Sequence, residues 1–213
     1  MYQQVNPKEL KEIESNIAKG ISLKDSFSFV KTVAAFDIAY SEKTYKCVAV
    51  VIDIENLKEL EVKHIEGEEI MPYSPKLVIF REGPVILESY RSLSIKPDIL
   101  IVKGNGFMKK SSIGLASYVG VLLNKPVIGV AKELVAGRLD EDKIIANNDV
   151  VGFALKAKEF ANPVYITPGH NICLDSSVKI IKKVLSPSYK LPLPMHMAHK
   201  YVNKIKKEYI QKI

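Results

Sequence analysis

The chain has 213 residues, and 47% of them are hydrophobic, which is enough to bury a sizeable core. Its formal charge is +7, and its two cysteines, Cys47 and Cys173, both lie in apolar contexts. No apolar run is long enough to span a bilayer and no signal-peptide pattern follows Met1, which argues against a membrane protein and predicts a cytoplasmic one with reduced thiols. Without repeats, low-complexity tracts or linkers, residues 1–213 are expected to form a single domain.

The first part of the chain predicts a helix followed by antiparallel strands. Apolar residues recur at helical spacing over 7–19, directly after the start signal Asn6-Pro7. The runs 33–40 and 45–54 are apolar and rich in β-branched residues, and a polar turn separates them, so they predict a hairpin. Alternation around Leu60 and Val62 indicates a third strand with one solvent-facing side.

The rest of the chain alternates between strands and helices. The predicted elements are helix 80–93, strand 99–103, helix 111–123, strand 126–130, strands 150–155 and 164–167, and helices near 176–185 and 195–212. Three antiparallel strands followed by strand–helix units is the order of a ribonuclease H-like sheet. We therefore predict an α/β fold in which a mixed sheet, with three antiparallel strands and then parallel strands, is flanked by helices.

The positive charge is concentrated at one end of the chain. Residues 176–213 contain nine lysines and one acid, so this segment carries a net charge of +8 and the remainder carries −1. A polyanion such as nucleic acid would explain a basic surface restricted to one end. Lysine-rich helices that are simply solvated explain it equally well.

Asp37 is the first candidate for chemistry. It is the one acid in the apolar stretch "VAAFDIAY", and a carboxylate buried in an apolar strand is costly unless it is paired or bound to a metal. A sheet of this type can use such acids to hold divalent cations around a phosphodiester. The alternative is an aspartate near a strand end that accepts a backbone hydrogen bond.

Several stretches in the right order resemble the endonuclease V family. They are "AAFDIAY" (34–40), "PYSPKLVIFREGP" (72–84), "PDILIVKGNG" (97–106), "IGLASYVGVLLNKPVIGVAKELVAG" (113–137) and "VYITPGHNICLD" (164–175), with "LPLPMHMAHK" (191–200) resembling the start of the family's last helix. The resemblance runs from about residue 30 to 205. Any one of these motifs alone would be weak, whereas the whole series is specific.

The resemblance implies an enzyme that cuts the second phosphodiester on the 3′ side of a deaminated purine, hypoxanthine, in DNA or RNA. It also implies Mg²⁺, or Mn²⁺, as the cofactor and Asp37 and Glu82 as metal ligands. The lysine of "GVAK", Lys132, and the histidine of "PGHN", His170, match two further family positions near the reaction. Taken alone, Glu82 reads as a first-turn helix acid, Lys132 as a solvated lysine and His170 as a structural loop histidine.

The resemblance also implies how the base is recognised. Tyr73 of "PYSP" matches the family's wedge, which enters the gap that a displaced base leaves, and the two flanking prolines would keep its loop stiff. Gly104, Gly114, Leu115 and Val135 match positions of the base pocket. Without the resemblance these residues would read as an ordinary rigid loop and as turn or packing positions.

Two residues depart from the family's pattern. Lys103 stands where the family has a metal-binding aspartate, and Lys109 stands where it usually has a histidine. We therefore predict that the Lys103 ammonium lies within salt-bridge reach of Asp37 or Glu82 and that divalent ions bind weakly. His196 and His199 are three residues apart on the last helix, but without a visible third ligand we predict no metal site there.

Three hypotheses follow from these residues. The first is an endonuclease V-type hydrolase with an altered metal site, acting as a monomer on inosine-containing DNA or RNA. The second is a catalytically weak or inactive relative that binds inosine-containing or distorted strands. The third is a ribonuclease H-like scaffold whose basic end contacts another protein.

Overall fold

The computed structural model describes residues 6–41, 43–75, 77–109, 112–157 and 162–210, and these residues form a mixed sheet with helices on both faces. The strands are β1 (Thr32–Ser41), β2 (Thr44–Asp53), β3 (Glu59–Glu68), β4 (Ile99–Lys103), β5 (Phe107–Lys109), β6 (Ser112–Ile113), β7 (Val127–Ala131), β8 (Arg138–Asp140), β9 (Lys143–Ala146), β10 (Asp149–Leu155) and β11 (Val164–His170). The helices are α1 (Pro7–Lys19), α2 (Val78–Ser92), α3 (Leu115–Leu123), α4 (Leu174–Val184) and α5 (Leu193–Ile210).

Within the described residues the main sheet has nine strands in the order β3-β2-β1-β4-β7-β11-β10-β9-β8. β1, β2 and β3 form an antiparallel meander, and β4 and β7 then follow parallel to β1. This arrangement confirms the predicted mixed sheet of antiparallel and then parallel strands. β11 pairs antiparallel with β7, so the far side of the sheet turns antiparallel again.

Strict alternation of side chains divides the core into two layers. On β1, Val33 and Ala35 face one side of the sheet, whereas Ala34 and Phe36 face the other, and all four are buried. Helices α1, α2 and α3 cover the Phe36 side, and α4 and α5 cover the Val33 side. Each helix therefore presents its functional side chains to a known face of the sheet.

Helix α5 docks against the sheet through a narrow apolar stripe. Met195, Ala198 and Val202 recur at three- and four-residue spacing and are all buried, and the helix lies over β1 and β2. This docking fixes the position of His199, the next residue along the helix from Ala198. Among the described residues, no helix combines the length and apolarity that crossing a bilayer requires.

Two predictions about local structure were wrong. Helix α3 begins at Leu115 rather than at residue 111, because 107–109 and 112–113 pair as a short two-stranded ribbon before it. Strands β8 and β9 were not predicted at all. Their exposed residues are mostly charged, so the apolar alternation that marks a strand is weak there.

Candidate functional site

The site lies where β1 and the end of β4 meet. These two strands are parallel with Ala35 opposite Ile101, so the same register brings Asp37 level with Lys103. Asp37 is 8% exposed, and a carboxylate at that depth needs partners. Both of its oxygens have one.

The first partner of Asp37 is Lys103. Lys103 Nζ lies 3.9 Å from Asp37 Oδ1, which confirms the prediction that this ammonium is within salt-bridge reach of an acid of the site. The Lys103 side chain is 54% exposed, so water screens the pair and the ammonium can also reach a ligand arriving from solvent. Lys103 therefore supplies a positive charge that is not fully committed to the fold.

The second partner is His199, which the sequence analysis set aside. Its Nδ1 lies 2.7 Å from Asp37 Oδ2, while the Asn203 amide nitrogen lies 3.1 Å from Nε2. Because that amide nitrogen can only donate, Nε2 accepts and Nδ1 carries the proton that is donated to Asp37. The spacing of His196 and His199 raised only the question of a metal site, and the contact of His199 with Asp37 was not predicted, because the docking of α5 on β1 brings together two residues that are 162 positions apart.

Glu82 lies in the second turn of α2 and is half-buried. Burial raises its pKa above the usual range, the positive charges of Lys103 and Arg81 lower it, and the Asp37 carboxylate raises it. These effects place Glu82 in the same electrostatic neighbourhood as Asp37 and Lys103. A carboxyl group with a raised pKa exchanges a proton more readily near neutral pH than an ordinary glutamate.

This arrangement does not fit a centre for two divalent ions. Asp37 is already paired on both oxygens, and an ammonium occupies the side of Asp37 that faces β4. Over the part of the chain that the structure describes, no three His, Cys, Asp or Glu side chains converge as a metal-binding group. A divalent ion would first have to separate Lys103 from Asp37.

A cavity of about 760 Å³ opens next to these residues. Its lining includes all five residues that the resemblance assigned to base recognition: Tyr73, Gly104, Gly114, Leu115 and Val135. They come from four separate segments of the chain, which the fold brings to one place. The cavity adjoins the acidic cluster, by which we mean Asp37 and Glu82 with their partner Lys103, because Gly104 directly follows Lys103.

Glycine is required at two positions of the cavity wall. Gly104 has φ +135°, which side-chain-bearing residues rarely adopt. A Cβ built on Gly114 would lie 1.9 Å from the Asn105 carbonyl oxygen, so the loop after β4 can approach α3 only at a glycine. These glycines let backbone, rather than side chains, form part of the wall.

Tyr73 stands at the mouth of this cavity with 65% of its surface exposed. The Arg81 guanidinium carbon lies 5.5 Å from the Tyr73 ring centroid and 3.3 Å from that of Tyr40. Arg81 is itself buried and donates from Nε to Glu69 over 2.8 Å. Arg81 thus links the exposed ring to the folded core, a role that the sequence analysis did not assign although Arg81 directly precedes Glu82.

Lys132 lies just beyond the end of β7 and is exposed. β4 and β7 are parallel, with Lys103 opposite Val130, so Lys132 extends from the same end of the sheet as Lys103. Its position agrees with a second ammonium near the site. No contact between Lys132 and the acids is present among the described residues.

His170 is not part of this cluster, although the resemblance implied a position near the reaction. Its register partner is Val127, which also pairs with Leu100, three residues before Lys103, so His170 is roughly 10 Å back along the strands. Its Nδ1 accepts from the Ser22 backbone N–H at 3.2 Å, and its Cβ lies against Gly120 of α3. The cause is the antiparallel direction of β11, whose last residues lie beside the beginning of β7 and not beside its end. Asp175 follows His170 in the chain and lies in the first turn of α4, whose N-cap is Cys173.

Comparison with known proteins gives a consistent result over nearly the whole chain. The family model for endonuclease V matches residues 15–200. Endonuclease V of Dictyoglomus thermophilum is 36% identical over 204 residues, covering 92% of this chain and 89% of that protein. Endonuclease V of Thermosipho melanesiensis is 30% identical over 215 residues, covering 97% of this chain and 94% of that protein.

Solved structures of endonuclease V are similar to this chain over nearly its whole length. A crystal structure of endonuclease V from Bacillus subtilis has a TM-score of 0.88 at 26% identity and covers 100% of this chain and 97% of that one. Ciona intestinalis endonuclease V, in complex with a 24mer DNA containing an inosine followed by a ribo-adenosine, has a TM-score of 0.84 at 26% identity, with 95% and 98% of the two chains covered.

Proposed function

Because this chain belongs to the endonuclease V family, we propose that it recognises hypoxanthine in DNA or RNA and hydrolyses the second phosphodiester on its 3′ side, as a nuclease of DNA repair. One observation carries the proposal. The cavity wall at Gly104 is continuous with Lys103, whose Nζ is 3.9 Å from Asp37. A base held in the cavity would therefore keep its own sugar–phosphate chain beside the acidic cluster.

In this proposal the base is first displaced from the stack and is then bound in the cavity. Tyr73 enters the base stack from a loop stiffened by Pro72 and Pro75, and Arg81 supports its ring from below. The displaced base then occupies the cavity, where Gly104 and Gly114 let backbone groups reach its polar edge. Leu115 and Val135 supply apolar contacts to its ring faces.

The phosphate is held by the positive charges at the ends of β4 and β7. Lys103 and Lys132 are ammonium groups that can neutralise charge on the phosphate as it is attacked. Asp37 orients the His199 imidazole, and Glu82 is the second acid of the site. We propose the acids Asp37 and Glu82, together with His199 and Lys132, as the catalytic group. Lys103 contacts the phosphate but competes with the divalent ion for Asp37. We exclude His170 because it lies near the opposite end of the strands.

For the cofactor we propose Mg²⁺, with Mn²⁺ as the alternative, bound weakly at Asp37 and Glu82. When bound, such an ion would add positive charge beside the phosphate. We expect the ion to bind weakly because the Lys103 ammonium repels a cation and already pairs with Asp37. We further propose that the protein is a cytoplasmic monomer.

The Lys103–Asp37 contact also favours a second candidate function. If the ammonium keeps divalent ions out, the chain would bind inosine-containing or distorted strands and cleave them slowly or not at all. The binding half of the site does not depend on Lys103, since Tyr73 and the cavity glycines lie outside the ion pair.

A cleavage assay separates the two candidates. Single-stranded DNA and RNA oligonucleotides with one inosine, each labelled at the 5′ end, are incubated with the protein in millimolar Mg²⁺ or Mn²⁺. The nuclease proposal expects one product cut at the second phosphodiester 3′ to inosine and none from the matched adenine strand. Preferential binding of the inosine strand without cleavage in either metal would favour the second candidate, and equal binding of both strands would contradict each of them.

A further inference from the structure

The cavity has a second wall that none of the roles above uses. Besides Tyr73 and the glycines, the lining includes Arg138, Asn147 and Asn148, and we call these three residues the second wall. These residues belong to the ribbon formed by β8, β9 and β10 at the far edge of the sheet. The first wall is apolar or glycine-rich, whereas this second wall carries a guanidinium and two side-chain amides.

Asn147 and Asn148 form the turn between β9 and β10. Ala146 pairs with Asp149, so the two asparagines are the only residues between the paired positions, with φ values of 51° and 68°. Two positive φ values define the tight hairpin turn that suits twisted strands, and asparagine and glycine are the residues that adopt it readily. Both side chains are exposed, so they are accessible to a ligand in the cavity.

Arg138 is weakly held in the folded protein. Its ion pair with Asp140, at 3.8 Å, joins side chains that are 68% and 59% exposed. A pair of this kind contributes little to stability, so the guanidinium can exchange Asp140 for a stronger acceptor. Guanidinium binds phosphate through two parallel hydrogen bonds, which makes phosphate such an acceptor.

The size of the cavity leaves room for more than one base. A volume of about 760 Å³ lies in the upper part of the range for pockets that enclose a whole drug-sized ligand. A single purine ring fills only part of such a space. The second wall therefore has space for the sugar–phosphate of a neighbouring nucleotide.

We propose that Arg138, Asn147 and Asn148 bind the nucleotide on the 5′ side of the displaced base. This inference rests on the proposed function, in which the strand on the 3′ side runs from the base toward Lys103 and Asp37. In the sheet, β7 and β11 separate the ribbon of β8, β9 and β10 from β4, which carries Lys103, so we assign the strand that passes the second wall as the 5′ one. Arg138 binds the phosphate between that nucleotide and inosine, and the two amides bind the sugar and base edge of the neighbour.

The test compares two strands that differ only in the presence of this neighbour. One is a 13mer with inosine at its second position, and the other is the 12mer that begins with that inosine, without a 5′ phosphate. Affinity is measured by fluorescence anisotropy for the parent protein, for Arg138→Gln and for the double variant Asn147→Gly/Asn148→Gly. Glycine tolerates both positive φ values, so the double variant removes the amides while keeping the turn.

We expect Arg138→Gln to weaken binding of the internal-inosine strand about tenfold and to reduce its salt slope by about one unit, as for one lost phosphate contact. The double variant should weaken it severalfold. Neither variant should affect the strand that begins with inosine. Arg91→Gln is the matched control, because it removes the same charge from the far end of α2, about 20 Å along the helix from the cavity residue Val78.

The outcomes separate the second wall from the proposed function. Unchanged affinities in both variants, or equal losses on both strands, would overturn the 5′ contact even if the parent prefers inosine. A parent that binds inosine and adenine strands equally would overturn the proposed function. In that case a loss specific to strands with a 5′ neighbour would still support the wall as a nucleotide-binding surface.

Discussion

Lys103 decides how strongly this site can hold a divalent ion. It places a positive charge 3.9 Å from Asp37, at a point where a cation would need a negative one. At an effective dielectric of about 20, one unit charge at ~4 Å contributes about 4 kcal/mol, and the exposure of the side chain reduces this. Exchanging a repulsive for an attractive charge should therefore change ion affinity by at least an order of magnitude.

We expect Lys103→Asp to bind Mn²⁺ at least tenfold more tightly than the parent protein, as measured by a direct titration of Mn²⁺ without substrate. Mg²⁺-dependent cleavage of an inosine strand should rise with it. Lys103→Gln is the control, because it removes the repulsion without adding a ligand and should give an intermediate affinity. A parent that binds Mn²⁺ and cuts as well as Lys103→Asp would show that Asp37, Glu82 and His199 suffice.

Tyr73 tests recognition independently of cleavage. We expect Tyr73→Ala to weaken binding of an inosine strand by about 1–3 kcal/mol, the usual value of one base–aromatic stack. Binding of the matched adenine strand should change less, and Tyr73→Phe, which keeps the ring, should behave like the parent. Equal losses of affinity for the two strands would show that Tyr73 contacts any strand regardless of inosine, and would contradict its role as the wedge.

At the scale of elements, local patterns located most of the fold but not the site. Helix α1 and strands β1, β2 and β4 were predicted nearly to the residue, because their apolar periodicity is set by burial on the sheet. His199 was missed because its contact with Asp37 depends on how α5 crosses β1, which no local pattern records. His170 was misplaced for a related reason, since a motif does not reveal the direction of its strand.

The same limit applies to the ribbon of β8, β9 and β10. Strand β10 was predicted, but β8 and β9 have only three and four residues, too few for an alternation of apolar residues to stand out, and only the pair Asn147-Asn148 marks a tight turn. The cavity it completes is assembled from segments that lie far apart in the chain. Sequence motifs found one wall of that cavity, and only the folded sheet revealed the other.

Helix α5 contains four of the nine lysines at the basic end of the chain. Replacing Lys204, Lys206 and Lys207 with Gln should flatten the dependence of log affinity on log salt, if these lysines release counterions from a bound strand. Lys206 also donates to the Tyr40 carbonyl oxygen at 3.2 Å, so thermal unfolding of the variant should be checked alongside. The matched control replaces Lys8, Lys11 and Lys19 of α1, which packs on the other face of the sheet. Equal slopes for the parent and both variants would leave α5 as a solvated helix.

At the scale of the whole molecule, two cores share one sheet, which supports our proposal that the chain acts as a single domain. His170 contributes to this stability in a pH-dependent way. Burial lowers its pKa, and the Ser22 N–H that donates to Nδ1 requires that nitrogen to be unprotonated. The folded state therefore binds fewer protons at this site than the unfolded chain does.

The free energy of unfolding should accordingly be highest above pH 6.5, the ordinary histidine value, and should fall as the pH drops below it. We expect His170→Asn to flatten this fall, as measured by thermal unfolding between pH 7.5 and 5.5. Burial also lowers the pKa of His196, so some slope should remain in the variant. Identical slopes for parent and variant would show that His170 does not carry the effect.

The exposed ring of Tyr73 has an optical consequence. The chain contains no tryptophan, so Tyr73→Trp would introduce the only indole in the protein, at the mouth of the cavity. Its emission would report on one event, the insertion of the ring between bases, since stacking on a purine quenches indole fluorescence. Rapid mixing of this variant with an inosine strand would then time the extrusion of the base separately from any bond breakage.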